Sequence, residues 1–210
     1  MPESKRLRQD GRTFIEQARR RQIVEAAIEV LAEAGYAQTS LERIALRAGI
    51  SRGLISYHFA GRDDLMAEVI AKAYKEGTAY MRPRLEAATT PAEALHEYVR
   101  SNLEFMRDHR MHLLALLAIR RGGNPAGLRE SMSGLGAALG PIERILRWGQ
   151  EQGAFQTFDP HVMAIGLRNV IDGLPHYMGA EPDLDLDACL REVTALFSRA
   201  VEKPVSEVTK

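Results

Sequence analysis

The stretch TSLERIALRAGISRGLISYHF, residues 39–59, constrains this chain most. Within it Leu41, Ile44, Ala45 and Ala48 recur at i, i+3, i+4 and i+7, the spacing of one apolar stripe on a short helix. Thr39, followed three residues on by Glu42, is a capping-box pair for its start. Gly49 supplies a turn, and Ser51 is placed to cap a third helix ending near Phe59. Two short helices joined by a tight glycine-containing turn make a helix-turn-helix candidate. A longer helix upstream, from about Thr13 to Ala34 with Ile23, Ala27, Val30 and Ala34 on one face and Gly35 at its left-handed end, would complete a three-helix core. At about 100° per residue, Ile55 and Phe59 of the third helix point inward, while Gly53 and Tyr57 point away, flanked by Arg52, Leu54 and Ser56. That outer arc is rich in donors. A guanidinium can fork onto a guanine edge or a phosphate, hydroxyl and imidazole groups suit phosphate oxygens, and Gly53 permits close backbone approach.

Charge points the same way. The chain is formally neutral, yet residues 1–62 hold 11 Lys or Arg against 7 Asp or Glu, a net +4, and the remainder holds 17 against 21, a net −4. Such a split is expected when one module meets an anionic polymer and the other does not. The segment KRLRQDGR before the first helix is too polar to pack and reads as a basic arm. Arg19, Arg20 and Arg21 read as a solvated face or as phosphate contacts.

Downstream of Phe59 the pattern stays helical, with no sustained period-2 alternation, so the chain is expected to be all-α. A fourth helix is expected from about Asp63 to Met81, stopped by Pro83. Further helices are read in PAEALHEYVRSNLEFMRDH, MHLLALLAIRR, LRESMSGLGAALGPIERILRWGQEQG, DPHVMAIGLRNVIDGLPHYM and LDACLREVTALFSRAV, with Asp159 and Pro160 as an N-cap and first-turn pair. No apolar run reaches transmembrane length and no apolar leader opens the chain, so a cytoplasmic protein without a membrane partner is expected. The single cysteine, Cys189, excludes a disulfide framework.

The stretch AAIEVLAEAGYAQTSLERIALRAGISRGLISYHFAGRDDLM resembles the TetR family of one-component bacterial transcription regulators. The likeness rests on the Gly-Tyr after the first helix, Thr39 and Ser40, Ile44-Ala45, Ala48-Gly49-Ile50-Ser51, Gly53, Tyr57-His58-Phe59 and Leu65. The resemblance implies a three-helix DNA-binding module, a helical ligand-binding domain and a homodimer joined through the last two long helices. Boundaries of 12–62 and 63–205 are expected for these two domains. Carried over position by position, Ser40, Tyr57 and His58 look like phosphate contacts and Arg52 and Gly53 like recognition-helix contacts, with Arg62 also expected at DNA; Thr39, Ser51 and Ser56 are further DNA-binding candidates. Arg62 stands where the family commonly has lysine, and Ser56 where it often has an aromatic residue. The implied activity is ligand-controlled transcription, expected as repression at a pseudo-palindromic double-stranded operator, with no cofactor.

In the C-terminal part Asn169, Asp172 and His176 fall at i, i+3 and i+7, a polar stripe on an apolar helix. It reads either as satisfied interface hydrogen bonds or as the polar element of an inducer pocket. Tyr98, Phe105, Met106, His109, Trp148 and Phe155 are candidates to line an apolar cavity for a hydrophobic or amphipathic inducer of unknown identity. His109 and His112 lie three apart without a third ligand of clear spacing, so no metal is expected. No nucleophile elbow, phosphate loop or zincin motif occurs, and catalysis is not expected. A helical adaptor that has lost DNA affinity is the alternative. For the dimer, Leu186, Cys189 or Leu190, Val193, Leu196 or Phe197, and Ala200 form one stripe of the last helix, complemented by Ile165, Val170 and Leu174.

Overall fold

The computed structural model describes residues 3–122, 139–181 and 183–203, with side chains from residue 14 onward. It is all-α as expected: α1 (Glu3–Gln38), α2 (Leu41–Ala48), α3 (Arg52–His58), α4 (Arg62–Ala87), α5 (Pro91–Asp108), α6 (Arg110–Arg121), α7 (139–151), α8 (Pro160–Ala180) and α9 (Leu186–Val201). Among the described residues the one extended pairing is an isolated bridge between Phe155 and Glu202. The start of the helix expected before Gly140 lies outside the described residues.

Two compact units are formed, one from the chain up to Ala73 with α6 from Met111, the other from Tyr74–Arg110 with α7, α8 and α9. In the first, the apolar stripes of α1, α2 and α3 meet. Ile23, Ala27, Ile44 and Ile55 are fully buried, with Phe59, Leu65 and Val69 beside them. Each large side chain of this set contributes about 1.5–3 kcal/mol by leaving water. The turn between α2 and α3 depends on Gly49, whose φ of 65° is left-handed and whose N–H reaches back to the Ala45 and Leu46 carbonyls. Ser51 then caps α3 by accepting from the Leu54 N–H at 3.3 Å.

Three boundary expectations are corrected. The basic arm is helical in backbone, since α1 begins at Glu3 and breaks only at Gly35 (φ 73°, ψ 171°). The cap of α2 is Ser40, which accepts from Arg43 N–H at 3.2 Å, while Thr39 turns inward and donates to the Gly35 carbonyl at 2.8 Å. Pro83 lies inside α4, not at its end. A proline removes one N–H from the ladder, leaving the Ala79 carbonyl without its helical donor, but the helix continues to Ala87.

In the second unit α5 packs on α9 and α8. Its start is a full capping box, with Thr90 and Glu93 each bonding the other's backbone N–H at 3.2 Å. The expected Asp159 cap of α8 is present, accepting from His161 and Val162 N–H at 2.8 and 3.2 Å. Val193 and Phe197 of α9 are buried within this unit, and Leu196 is exposed. Of the stripe expected to face a partner, Val193 and Phe197 are thus covered within the chain, while Leu186, Cys189, Leu190 and Ala200 are half-buried.

Candidate nucleic-acid interface

The inner face of α3 is fixed by burial of Ile55 and Phe59, so its outer arc has a defined direction. Ser51, Arg52, Gly53, Ser56 and Tyr57 are exposed, and His58 is half-buried. Tyr57, 70% exposed, meets His58 edge-on with ring centroids 5.0 Å apart. A Cβ added at Gly53 would touch only Ser51 Oγ, at 3.9 Å, so the space above this backbone is open. Arg52 is paired with Glu42 of α2 at 2.8 Å, both more than half exposed. The Glu42 carboxyl lies below the usual carboxylate range, first through its own backbone N–H, then through the Ser40 hydroxyl, with burial opposing and Arg52 adding a smaller pull. An exposed pair of this kind is worth only about 0–1 kcal/mol, so a base edge or phosphate can take Arg52 from Glu42 at little cost.

Two other arginines brace the arc. The Arg20 guanidinium donates to the His58 carbonyl, bonds Glu68 at 2.8 Å and lies 4.2 Å over the Phe59 ring. One side chain of α1 thus fixes the end of α3 against α4. In sequence Arg20 reads as one of three solvated arginines, and only the tertiary approach of His58 and Glu68 distinguishes it. Arg62 donates to the Tyr36 carbonyl and lies 3.9 Å over the Tyr36 ring. Its charge is spent at the joint between α1 and α4, and the expected phosphate contact would require breaking that seat. Thr39, 2% exposed, is likewise part of the interior. Of the nine residues expected at DNA, the arc brings together Ser51, Arg52, Gly53, Ser56, Tyr57 and His58, with Ser40 spent as the cap of α2.

The same Tyr36 ring meets the end of α6. A Cβ at Gly122 would fall 2.1 Å from Tyr36 Cδ1 and 2.7 Å from its Cβ, so only a glycine fits there. Tyr36 is therefore held between the first residue of α4 and the residue following α6.

In the second unit the expected ligand residues separate into groups. Tyr98 and Asp172 converge on Arg168, which sequence reasoning did not select. Arg168 is 8% exposed. It donates Nε to Asp172 at 3.0 Å and a second N–H to the same carboxylate, and its Nη1 reaches Tyr98 Oη and Asn102 Oδ1, both at 3.2 Å. Burial opposes this charge, but the forked bond to Asp172 and the Tyr98 contacts outweigh it, and the guanidinium pKa is raised. Asn169 and His176 lie on the exposed side of α8, Asn169 donating to the Ile165 carbonyl at 2.9 Å. The polar stripe is thus split by a small angular difference. Met106 is buried, Trp148 is half-buried, and Phe105 stacks on His109 at 4.1 Å with Tyr80 5.7 Å away.

A helical chain whose first unit carries a helix-turn-helix and whose second unit is a separate helical core is the class defined by this geometry. Residues 23–69 match the family described as bacterial regulatory proteins, tetR family. A relative, the HTH-type transcriptional regulator BetI 1 of Chromohalobacter salexigens, is 33% identical over 87 residues, 41% of this chain and 43% of its own length. The chain therefore spans less than half the length of that relative. The HTH-type transcriptional regulator RutR of Escherichia coli K12 is 26% identical over 191 residues, covering 88% of this chain and 86% of its own. The fold is similar to that of the transcriptional regulator FadR from Bacillus subtilis in complex with stearoyl-CoA, with a TM-score of 0.77, 22% identity, and coverage of 84% and 96%. No described helix is long and apolar enough to cross a membrane.

Proposed function

We propose that this protein is a ligand-responsive transcriptional repressor that binds a pseudo-palindromic operator as a homodimer and leaves it when a small hydrophobic or amphipathic molecule binds its second unit. The observation that carries the reading is the outer arc of α3, held at both ends and lined by Arg52, Gly53, Ser56 and Tyr57. In this reading residues 12–62 meet DNA and residues 63–205 bind ligand and partner. Two-fold symmetry then sets half-sites about 34–36 Å apart, or a multiple of that. Selection of bound duplexes from a random pool tests it. Recovery of no inverted repeat by the purified protein sinks the reading. On the selected operator, Arg52→Ala is expected to cost about 1–3 kcal/mol and relax specificity at one base pair, whereas Tyr57→Phe should weaken all sequences alike.

The outer face of α8 supports the homodimer. Val162 is 63% exposed and Ile165 and Val170 are also uncovered, while Gly166 and Gly173, one heptad apart, have open space above them. A second copy of α8 could approach closely along that line, as helices do in antiparallel or parallel bundles. On this account Asn169 and His176 belong to the subunit contact rather than to the ligand. Ile165→Glu, which places a charge at the centre of that face, is expected to give a monomer in light scattering. A variant that keeps the mass of a dimer removes α8 from the contact.

Ligand class is supported by chemistry rather than by a named molecule. The FadR relative's bound stearoyl-CoA is an amphipathic thioester. Here one charged pair, Arg168 with Asp172, is largely withdrawn from water beside Tyr98 and Asn102 and would be the polar element of a site that buries the rest of its ligand. Control of DNA requires differential affinity between two states, with coupling typically about 1–3 kcal/mol.

A further inference from the structure

We propose that the N-terminal part of α1, Glu3–Gln22, is a second DNA-contacting element that follows the phosphate backbone beside the half-site. The inference rests on the DNA-binding reading but concerns a different segment. From Phe14 onward, the first buried residue of α1 is Ile23, and Phe14 and Ile15 are 65% and 66% exposed. The helix begins at Glu3. At a rise of about 1.5 Å per residue, its first 20 residues span about 30 Å, and none of residues 14–22 is buried in the module's core.

Charge identifies the partner. Residues 1–22 hold seven cations (Lys5, Arg6, Arg8, Arg12, Arg19, Arg20 and Arg21) against three acids (Glu3, Asp10 and Glu16), a net +4. Residues 23–62 hold four arginines (Arg43, Arg47, Arg52 and Arg62) against four glutamates (Glu25, Glu29, Glu33 and Glu42), a net of zero. The whole positive excess of the N-terminal module therefore lies in the extension. Within the neutral part, Arg47 is paired with Glu29 at 2.9 Å and with Glu33, Arg43 donates to the Gln38 carbonyl at 3.0 Å, and Arg62 is held by Tyr36. Only Arg52 stands on the arc. A recognition module so nearly neutral has little of the phosphate attraction that supplies most non-specific affinity for DNA.

Position agrees with charge. Arg20 bonds the carbonyl of His58, the last residue of α3, and Gln22 Nε2 donates to the carbonyl of Ala48, the last residue of α2, at 2.8 Å. The extension leaves the module where both helices of the turn motif end, beside the arc that enters the groove. Lys5, Arg6, Arg8 and Arg12 lie along the chain beyond that point.

The test compares the full chain with a Lys5→Gln, Arg6→Gln, Arg8→Gln, Arg12→Gln variant, chosen because glutamine keeps helix propensity. Affinity for the selected operator and for an unrelated duplex is measured from 50 to 300 mM salt, with melting curves to establish that both proteins fold. If each cation meets a phosphate at about 0.9 unit of slope, the variant's plot of log K against log salt should be shallower by about 3–4 on both duplexes, with base preference unchanged. A slope changed by less than about half a unit overturns the proposal. Loss of binding to phosphatidylglycerol vesicles with no change in the DNA slope also overturns it, and makes the extension a membrane-surface element. Should the unaltered protein bind every duplex alike while the variant loses that binding, the extension stands and the recognition-helix reading fails.

Discussion

Arg168→Ala is expected to destabilise the second unit by about 3–5 kcal/mol, the loss found when one member of a buried pair is removed. The reason lies in what remains. The Asp172 side chain is only 16% exposed. Without the guanidinium, its carboxylate loses both bonds that Arg168 gives it, and Tyr98 Oη and Asn102 Oδ1 each lose a charged donor. The transition should be followed by urea denaturation with a probe in this unit, such as Trp148 fluorescence. Replacing both members, Arg168→Leu with Asp172→Leu, should recover most of the loss, because a buried pair is commonly no more stable than apolar residues of similar size. A double variant that folds but no longer responds to any ligand active on the parent would assign the pair to recognition. Retention of the full response would make it a packing device. A single Arg168→Ala variant as stable as the parent would mean that the pair is solvated, against the burial on which this expectation rests.

Local chemistry was legible in the sequence wherever one residue determines one backbone event. Gly49 at the turn, Ser51 at the start of α3, Thr90 with Glu93, and Asp159 with Pro160 all act as their types require, because capping depends on neighbours within four residues. Even the slip between Thr39 and Ser40 is local: both can cap, and the choice falls to the residue whose hydroxyl is not claimed by the Gly35 carbonyl. Functions that depend on distant segments were not legible. Nothing within a few residues of Arg20, Arg62 or Arg168 marks them as braces, yet each is claimed by a partner 26 or more residues away. The polar stripe on α8 failed for an angular reason. Positions i, i+3 and i+7 share a face only within about 60°, and that width separates Asp172, turned inward toward Arg168, from Asn169 and His176 outside. In α9 the apolar stripe was visible, but periodicity cannot say whether its partner is α5 or a second chain.

Gly122→Val is expected to lower operator affinity by about 1–3 kcal/mol, roughly 5- to 150-fold, the range of a typical allosteric coupling. A Cβ at this position would lie 2.1, 2.3 and 2.7 Å from Cδ1, Cγ and Cβ of Tyr36. Carbon pairs settle at about 3.5–4.0 Å, and two of the overlapping atoms, Cγ and Cβ, stay in place when the ring turns about its own axis, so that rotation does not relieve the overlap. Either the end of α6 or the backbone of Tyr36 must move. The second choice displaces the carbonyl and the ring face that seat Arg62 at the first residue of α4. Tyr36 follows the Gly35 break and precedes α2, so its shift is passed to the helix that orients the turn motif. Gly61→Ala is the control. It lies in the same module with nothing within 4 Å of its Cβ, and should leave affinity within about twofold. Equal effects from the two substitutions would show that contact with Tyr36 does not set the position of α3. A loss confined to Gly122→Val, with the melting temperature of the module nearly unchanged, would make the Tyr36 seat the point at which movement of α6 reaches DNA.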